Sequence, residues 1–187
     1  REEGGDYFKE DPAEAKKLLA EGMQEAGWST LPEVTLMYNT DESHKKIAQA
    51  LQEMLKKNLG VDVKLTNQEW KVYLDTTRQK NYQMGRMGWV GQISDPAFNL
   101  DYYLGDSPNN RTGWVNKEYD ELNMAAKVEQ DPNKRMELLH KAEAVLMEEM
   151  PFIPIYHYQQ NYLVKPGLEG LTYPVNAFPS ARWATKK

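Results

Sequence analysis

Apolar residues at helical spacing open the chain. Ala15, Leu18, Leu19, Gly22 and Ala26 recur every three or four positions, the spacing of a helix with one buried face. Asp11-Pro12-Ala13-Glu14 comes before them with an N-cap, a proline at the first helical position and an acid at N3. Gly27 supplies a stop. A second helix is predicted from about Asp41 to Asn58, with Ile47, Leu51, Met54 and Leu55 on its buried stripe and Gly60 beyond its end. Asp131-Pro132 begins another, through Met136, Leu139, Leu146 and Met150 to the break at Pro151. A shorter one spans Asn116 to Val128 through Tyr119, Leu122 and Ala126.

Between these helices the period changes to two. Val34, Leu36 and Tyr38 alternate with polar or flexible neighbours, as do Val61, Val63 and Leu65, which predicts strands. The order strand, helix, strand across residues 33–66 forms a βαβ unit with parallel strands and a right-handed crossover. A helix near Glu69 to Gln79 and a strand near Gln83 to Val90 extend it. Phe152 to Tyr158 and Asn161 to Val164 read as later strands, and the Pro- and Gly-rich tail from Lys165 as a surface wrapping. There is no internal repeat and no low-complexity linker. The pattern predicts one α/β domain with a central mixed, mainly parallel sheet flanked by helices.

Composition narrows what such a domain can do. The 187 residues suffice for one sizeable domain and are marginal for two. At 40% hydrophobic and 27% charged, the chain reads as globular rather than disordered. A formal charge of -5 without a basic face argues against a nucleic-acid partner. The chain has no cysteine, which excludes disulfides, thiolate catalysis and Cys-type zinc sites. No signal peptide or lipidation cysteine opens the sequence, and Arg1 to Phe8 reads like a mid-protein loop. The expectation is that any export address lies on a part of the protein outside these residues.

Catalytic signatures are missing: no glycine-rich phosphate loop, no G-x-S-x-G, no H-E-x-x-H. The reading is a binding module rather than an enzyme, with no cofactor and no metal. His44, His140 and His157 fall in three different predicted elements. Asn110-Arg111-Thr112 fits the short glycosylation pattern, and Glu148-Glu149 reads as solvated charge. The densest region is Asn67 to Trp114, where Trp70, Tyr73, Tyr82, Trp89, Tyr102, Tyr103 and Trp114 mix with Arg78, Arg86, Gln92, Asp95 and Asp101. A tryptophan opening a helix and one ending a strand can both lie at the carboxyl edge of a parallel sheet, where open α/β folds place ligands. The same aromatics could equally fill a core. Gly85, Gly88 and Gly91 would let another backbone approach closely, which favours a site for an extended main chain. His44, Lys45 and Lys46 put cations in the first turn of a predicted helix, against its macrodipole. A bound anion would relieve that mismatch; lysines pointing into water would also tolerate it.

These stretches resemble one family. Tyr38-Asn39-Thr40 through His44-Lys45-Lys46, Leu59-Gly60-Val61 through Asn67-Gln68-Glu69-Trp70, and Arg86-Met87-Gly88-Trp89 followed by Asp95-Pro96 are similar to the oligopeptide-binding proteins of bacterial ABC importers, solute-binding protein family 5. Phe152-Ile153-Pro154-Ile155-Tyr156 and Leu163-Val164-Lys165-Pro166 look like the same family's end. The motifs occur in order, with the interval of nineteen from Trp70 to Trp89 kept. Family members are much longer, so the resemblance implies that residues 1–187 form the C-terminal lobe of a two-lobed, periplasmic-binding-protein-like receptor whose N-terminal lobe is absent. It implies an extracytoplasmic protein, a cell-surface lipoprotein or a periplasmic one, that captures oligopeptides and delivers them to ABC-transporter permease subunits. By position, Trp70 and Trp89 match aromatic pocket walls, Arg86 and His44 match groups that meet the peptide carboxylate, and Arg78 falls where another basic residue is common. The family's acidic partner for the peptide ammonium corresponds to Gln92, a neutral amide, with Asp95 as the alternative. A relative that takes a modified or signalling peptide is the other reading the resemblance leaves open.

Overall fold

The strand and helix periods seen in the sequence sort into two compact units, residues 1–88 and 89–187. The computed structural model describes residues 7, 10–91, 93–159, 161–174 and 179–187.

In the first unit, helix α1 (Pro12–Glu25) starts where Asp11 accepts the Glu14 N–H at 3.0 Å. Strand β1 (Val34–Asn39), helix α2 (Glu42–Leu59), strand β2 (Val63–Gln68), helix α3 (Trp70–Arg78) and strand β3 (Met84–Gly85) follow. The three strands form one parallel sheet in the order β2-β1-β3. As the middle strand, β1 has neighbours on both edges, and Leu36, Met37 and Tyr38 in succession are buried, as expected where both faces of a parallel strand are covered. Leu36, Tyr38, Ala48 and Val63 make the core, with Leu51, Leu55 and Leu65 packed against it. Each such aliphatic or aromatic side chain contributes about 1.5–3 kcal/mol when fully buried.

Two predicted strands are shorter than the alternation suggested. Val61 donates its N–H to the Leu55 carbonyl at 3.3 Å, completing the end of α2 behind Gly60, whose φ is +72°. It is therefore spent on the helix cap, and β2 starts at Val63. The strand predicted over Gln83 to Val90 pairs only at Met84 and Gly85. One more bond, from the Arg86 N–H to the Met37 carbonyl at 2.8 Å, continues it. Beyond that point the glycines at 88 and 91 give the backbone little reason to stay extended.

In the second unit, helices α4 (Pro96–Leu100), α5 (Lys117–Val128) and α6 (Pro132–Glu149) surround a core of Leu100, Leu104, Tyr119, Ala126, Leu139, Ala142 and Leu146. A single 3-10 turn, Asp101–Tyr103, continues α4. Tyr119 is fully buried and donates its hydroxyl to the Leu100 carbonyl at 2.6 Å. Burial pushes its phenol well above the ordinary tyrosine range. Asn110, which fitted the glycosylation pattern, is buried with its amide nitrogen 2.8 Å from the Trp114 carbonyl and 3.2 Å from that of Leu104. It pins a turn and is not a surface acceptor.

The strands expected at Phe152 to Tyr158 and Asn161 to Val164 are not found. The described backbone there is irregular, and no described strand pairs with it. Ile153, Ile155, Tyr156, Tyr158, Leu163 and Val164 are exposed. Alternation predicts the right side chains for a strand, but a ladder needs a neighbour to accept it. The tail instead forms a small hairpin of β4 (Leu168–Glu169) and β5 (Thr185–Lys186). Gly170 at its base has φ +79°, and a Cβ there would lie 2.0 Å from the Trp183 carbonyl oxygen.

Candidate functional site

Parallel pairing puts the carboxyl ends of all three strands of the first unit on one edge of the sheet. Chain order then decides what stands there. After Asn39, Asp41 caps α2 by accepting the Ser43 and His44 N–H groups at 2.8 and 3.0 Å. After Gln68, α3 opens at once with Trp70, and after Gly85 comes Arg86. The sheet thus gathers His44, Trp70 and Arg86 from three separate stretches. Arg78 is the exception. It ends α3, eight residues or about 12 Å along the axis from Trp70, and its guanidinium binds Asp75 of its own helix at 2.9 Å. The helix returns towards the amino edge, so Arg78 stands away from the group.

His44 is half-buried, and its Nδ1 donates to Asn39 Oδ1 at 2.8 Å, which leaves Nε2 as the second polar atom of the ring. Burial holds its pKa below the ordinary histidine value, and the positive charge of Arg86 lowers it further, against the opposing pull of Asp41. The Asp41 carboxyl is held low chiefly by the His44 N–H it accepts. This edge therefore sets the Arg86 guanidinium beside the imidazole of His44 and the Asp41 carboxylate, which is itself engaged by the first turn of α2; Arg86 is the group there that suits an anion. Tyr73 backs it from below. It is fully buried, its hydroxyl donates to the Arg86 carbonyl, and its ring stacks on Trp70 with centroids 6.2 Å apart and planes 13° apart. Trp70 itself is 52% exposed, so one face is supported while much of the ring meets solvent.

Trp89 opens the second unit in a similar state. Its ring rests on Phe98 at 6.0 Å and against Tyr102 at 4.7 Å, yet 46% of the residue is exposed. Val90 and Ile93 beside it are exposed as well. Gln92 lies outside the described residues. Asp95 caps α4, accepting the Ala97 N–H at 2.9 Å, and both its oxygens accept from Nη2 of Arg135, at 2.9 and 3.0 Å. Arg135, chiefly, holds the Asp95 carboxyl below the ordinary range. Sequence reasoning does not reach Arg135, Tyr73 or Asn39 as site residues. Asn39, inside the Tyr38-Asn39-Thr40 motif, and Tyr73, inside the aromatic-rich stretch after Asn67, carry local signals; Arg135 carries none. Among the described residues no group of three or more His, Asp or Glu side chains could hold a metal, and no helix is long and apolar enough to cross a membrane.

Each unit presents a half-exposed tryptophan on aromatic backing, and the first adds a cationic sheet edge. The chain belongs to the bacterial extracellular solute-binding proteins, family 5, whose middle-region model matches residues 2–111. It is 47% identical to the oligopeptide-binding protein OppA of Bacillus subtilis, over 90% of this chain and 32% of that protein. It is 41% identical to the dipeptide-binding protein DppE of the same organism, over 100% of this chain and 34% of the relative. Haemophilus influenzae OppA, solved in complex with RPPGFSPFR, superposes with a TM-score of 0.77 at 35% identity, covering 87% of this chain and 32% of that one. The chain thus has the α/β fold of the periplasmic peptide-binding proteins. The chain spans about a third of the length of the curated relatives it matches.

Proposed function

We propose that these residues are the C-terminal lobe of an extracytoplasmic receptor that captures oligopeptides for an ABC importer, and that the lobe supplies one wall of the cleft without chemistry of its own. The observation that carries this reading is the meeting of His44 and Arg86 beside Trp70 at the carboxyl edge of the sheet. A peptide's terminal carboxylate is the anion that such an edge suits. Charge-assisted bonds to Arg86 would fix the terminus, and the open face of Trp70 would cover an adjacent side chain; the N–H groups at the start of α2 are already taken by Asp41. In the second unit Trp89 offers an exposed aromatic face of its own, and Gln92 is the group that meets the peptide ammonium. Arg78, turned to Asp75 at the far end of α3, takes no part.

A second lobe in the parent protein belongs to the same reading. The exposed apolar residues Ile153, Ile155, Tyr156, Tyr158, Leu163 and Val164 support it, because apolar surface gathered in this way marks a place where another surface packs. The coverage of about a third of the relatives agrees. Permease subunits are the partners in transport, and the site of action is the periplasm or the outer cell surface as a lipoprotein. The test is the mass of whatever co-purifies with the full-length parent under native mass spectrometry. Masses of short peptides support the reading. A parent that carries no peptide, and takes up none when peptides are supplied in excess, refutes it.

A further inference from the structure

We propose that Arg135 is a positioning residue for the Trp89 wall, acting through Asp95 and helix α4, and that Asp95 itself does not meet the peptide. This rests on the peptide-binding reading above. Asp95 has little left to offer a ligand. Its Oδ1 accepts from the Ala97 N–H and from Arg135 Nη2, and its Oδ2 accepts from the same nitrogen. An incoming ammonium would have to compete with a guanidinium already seated there.

The pair instead fixes a short helix that could not hold itself in place. Five residues lie far below the length at which an isolated helix is stable in water. Two anchors hold α4. Leu100 and Ala97 face the core of the second unit, and Asp95 ties the first turn to α6 through Arg135. Phe98 on α4 and Tyr102 just after it are the two rings that Trp89 rests on. Gly91 adds a tight fit on the same support, since a Cβ there would come within 3.1 Å of Asn99 Oδ1. Moving the start of α4 therefore moves the backing of Trp89 and the loop that follows it. Arg135 reaches this machinery from forty positions away in sequence without any need to touch ligand.

The test uses the full-length parent carrying 5-fluorotryptophan, with the Trp89 resonance assigned through Trp89→Phe. Asp95→Asn, Arg135→Ala and Arg135→Lys are titrated with one peptide in free-amine and N-acetylated forms. Asp95→Asn keeps a side chain able to cap α4, so it survives as a test even where Arg135→Ala fails to fold. The expected result is a three- to tenfold loss for both peptide forms alike with Asp95→Asn and Arg135→Ala. The Trp89 fluorine signal should shift while that of Trp70 stays, and Arg135→Lys should recover part of both effects. A loss confined to the free-amine form would put Asp95 against the ammonium and overturn the proposal. Unchanged affinities with an unmoved Trp89 signal would overturn it too. Should the unaltered parent bind neither form, the peptide reading fails, and the Trp89 signal alone then decides whether Arg135 positions it.

Discussion

Removing one oxygen atom from Tyr73 tests the idea that a buried residue sets the cationic edge. Tyr73 is fully buried, with its ring against Trp70 and its hydroxyl shared between the Arg86 carbonyl and, at 3.5 Å, that of Met37. Tyr73→Phe keeps the ring, so no large cavity opens and the transfer term is small. What is lost is a hydrogen bond, a net contribution of about 0.5–1.5 kcal/mol, plus part of the cost of leaving a half-buried carbonyl short of a donor. Strand β3 is two residues long, and the Arg86 N–H to Met37 bond is its last tie to β1. The loss should therefore fall on this corner, at about 1–2 kcal/mol. Amide hydrogen exchange reads it locally, because openings of this size change protection without global unfolding. Exchange at the Arg86 amide should speed up about tenfold, the equivalent of roughly 1.4 kcal/mol, while amides in α2 stay as they were. Unchanged exchange at Arg86, or an equal increase throughout the first unit, would refute the claim that the hydroxyl holds this corner.

Three other outcomes are expected. Gln92→Asp in the full-length parent should tighten binding of free-amine peptides by about 1–2 kcal/mol, because charge-assisted bonds exceed neutral ones; calorimetry showing the same gain for N-acetylated forms would contradict this. His44 has a lowered pKa in the folded state, so below about 6.5 the unfolded chain binds the extra proton more readily. Stability from this group is complete above that pH and declines as pH falls towards the folded value. An NMR titration should find that a peptide acid raises the His44 pKa in the parent while its amide does not, and equal shifts would contradict the assignment. The isolated 187-residue chain should bind peptides at least about a hundredfold more weakly than the parent, some 2.7 kcal/mol, because one wall cannot exclude water from the ligand. Matched affinities by calorimetry would count against a second lobe.

Helices were legible because their signals are local. Asp11, Asp41, Asn116 and Asp131 each cap the helix that the sequence assigns to them, through bonds to N–H groups two or three residues ahead. The sheet was legible in β1, which is buried on both faces, and in β2, where inward Val63 and Leu65 alternate with exposed Lys64 and Thr66. It was overdrawn where partners decide the outcome: at Gln83 to Val90, where the glycines withdraw the chain after two paired residues, and at Phe152 to Val164, where no described strand lies alongside. His44 and Arg86 were reached through the family resemblance, and they stand near Trp70 because a parallel sheet delivers strand ends to one edge. Arg78 shows the converse, since its place eight residues after Trp70 on one helix already put it at the other end. The Arg135 to Asp95 bond had no local signal at all, because forty residues and a tertiary fold stand between the partners.

Whether Arg86 meets a peptide carboxylate is tested most directly by Arg86→Ala in the full-length parent. One peptide is titrated by calorimetry as the free acid and as the C-terminal amide, against both proteins. Hydrogen bonds to a charged group contribute about 1.5–3 kcal/mol, so the acid should lose roughly ten- to 150-fold on the substitution. The amide, which offers no charge to Arg86, should lose much less. Equal losses for the two forms would mean that the carboxylate lies elsewhere, and the assignment of this sheet edge would be wrong.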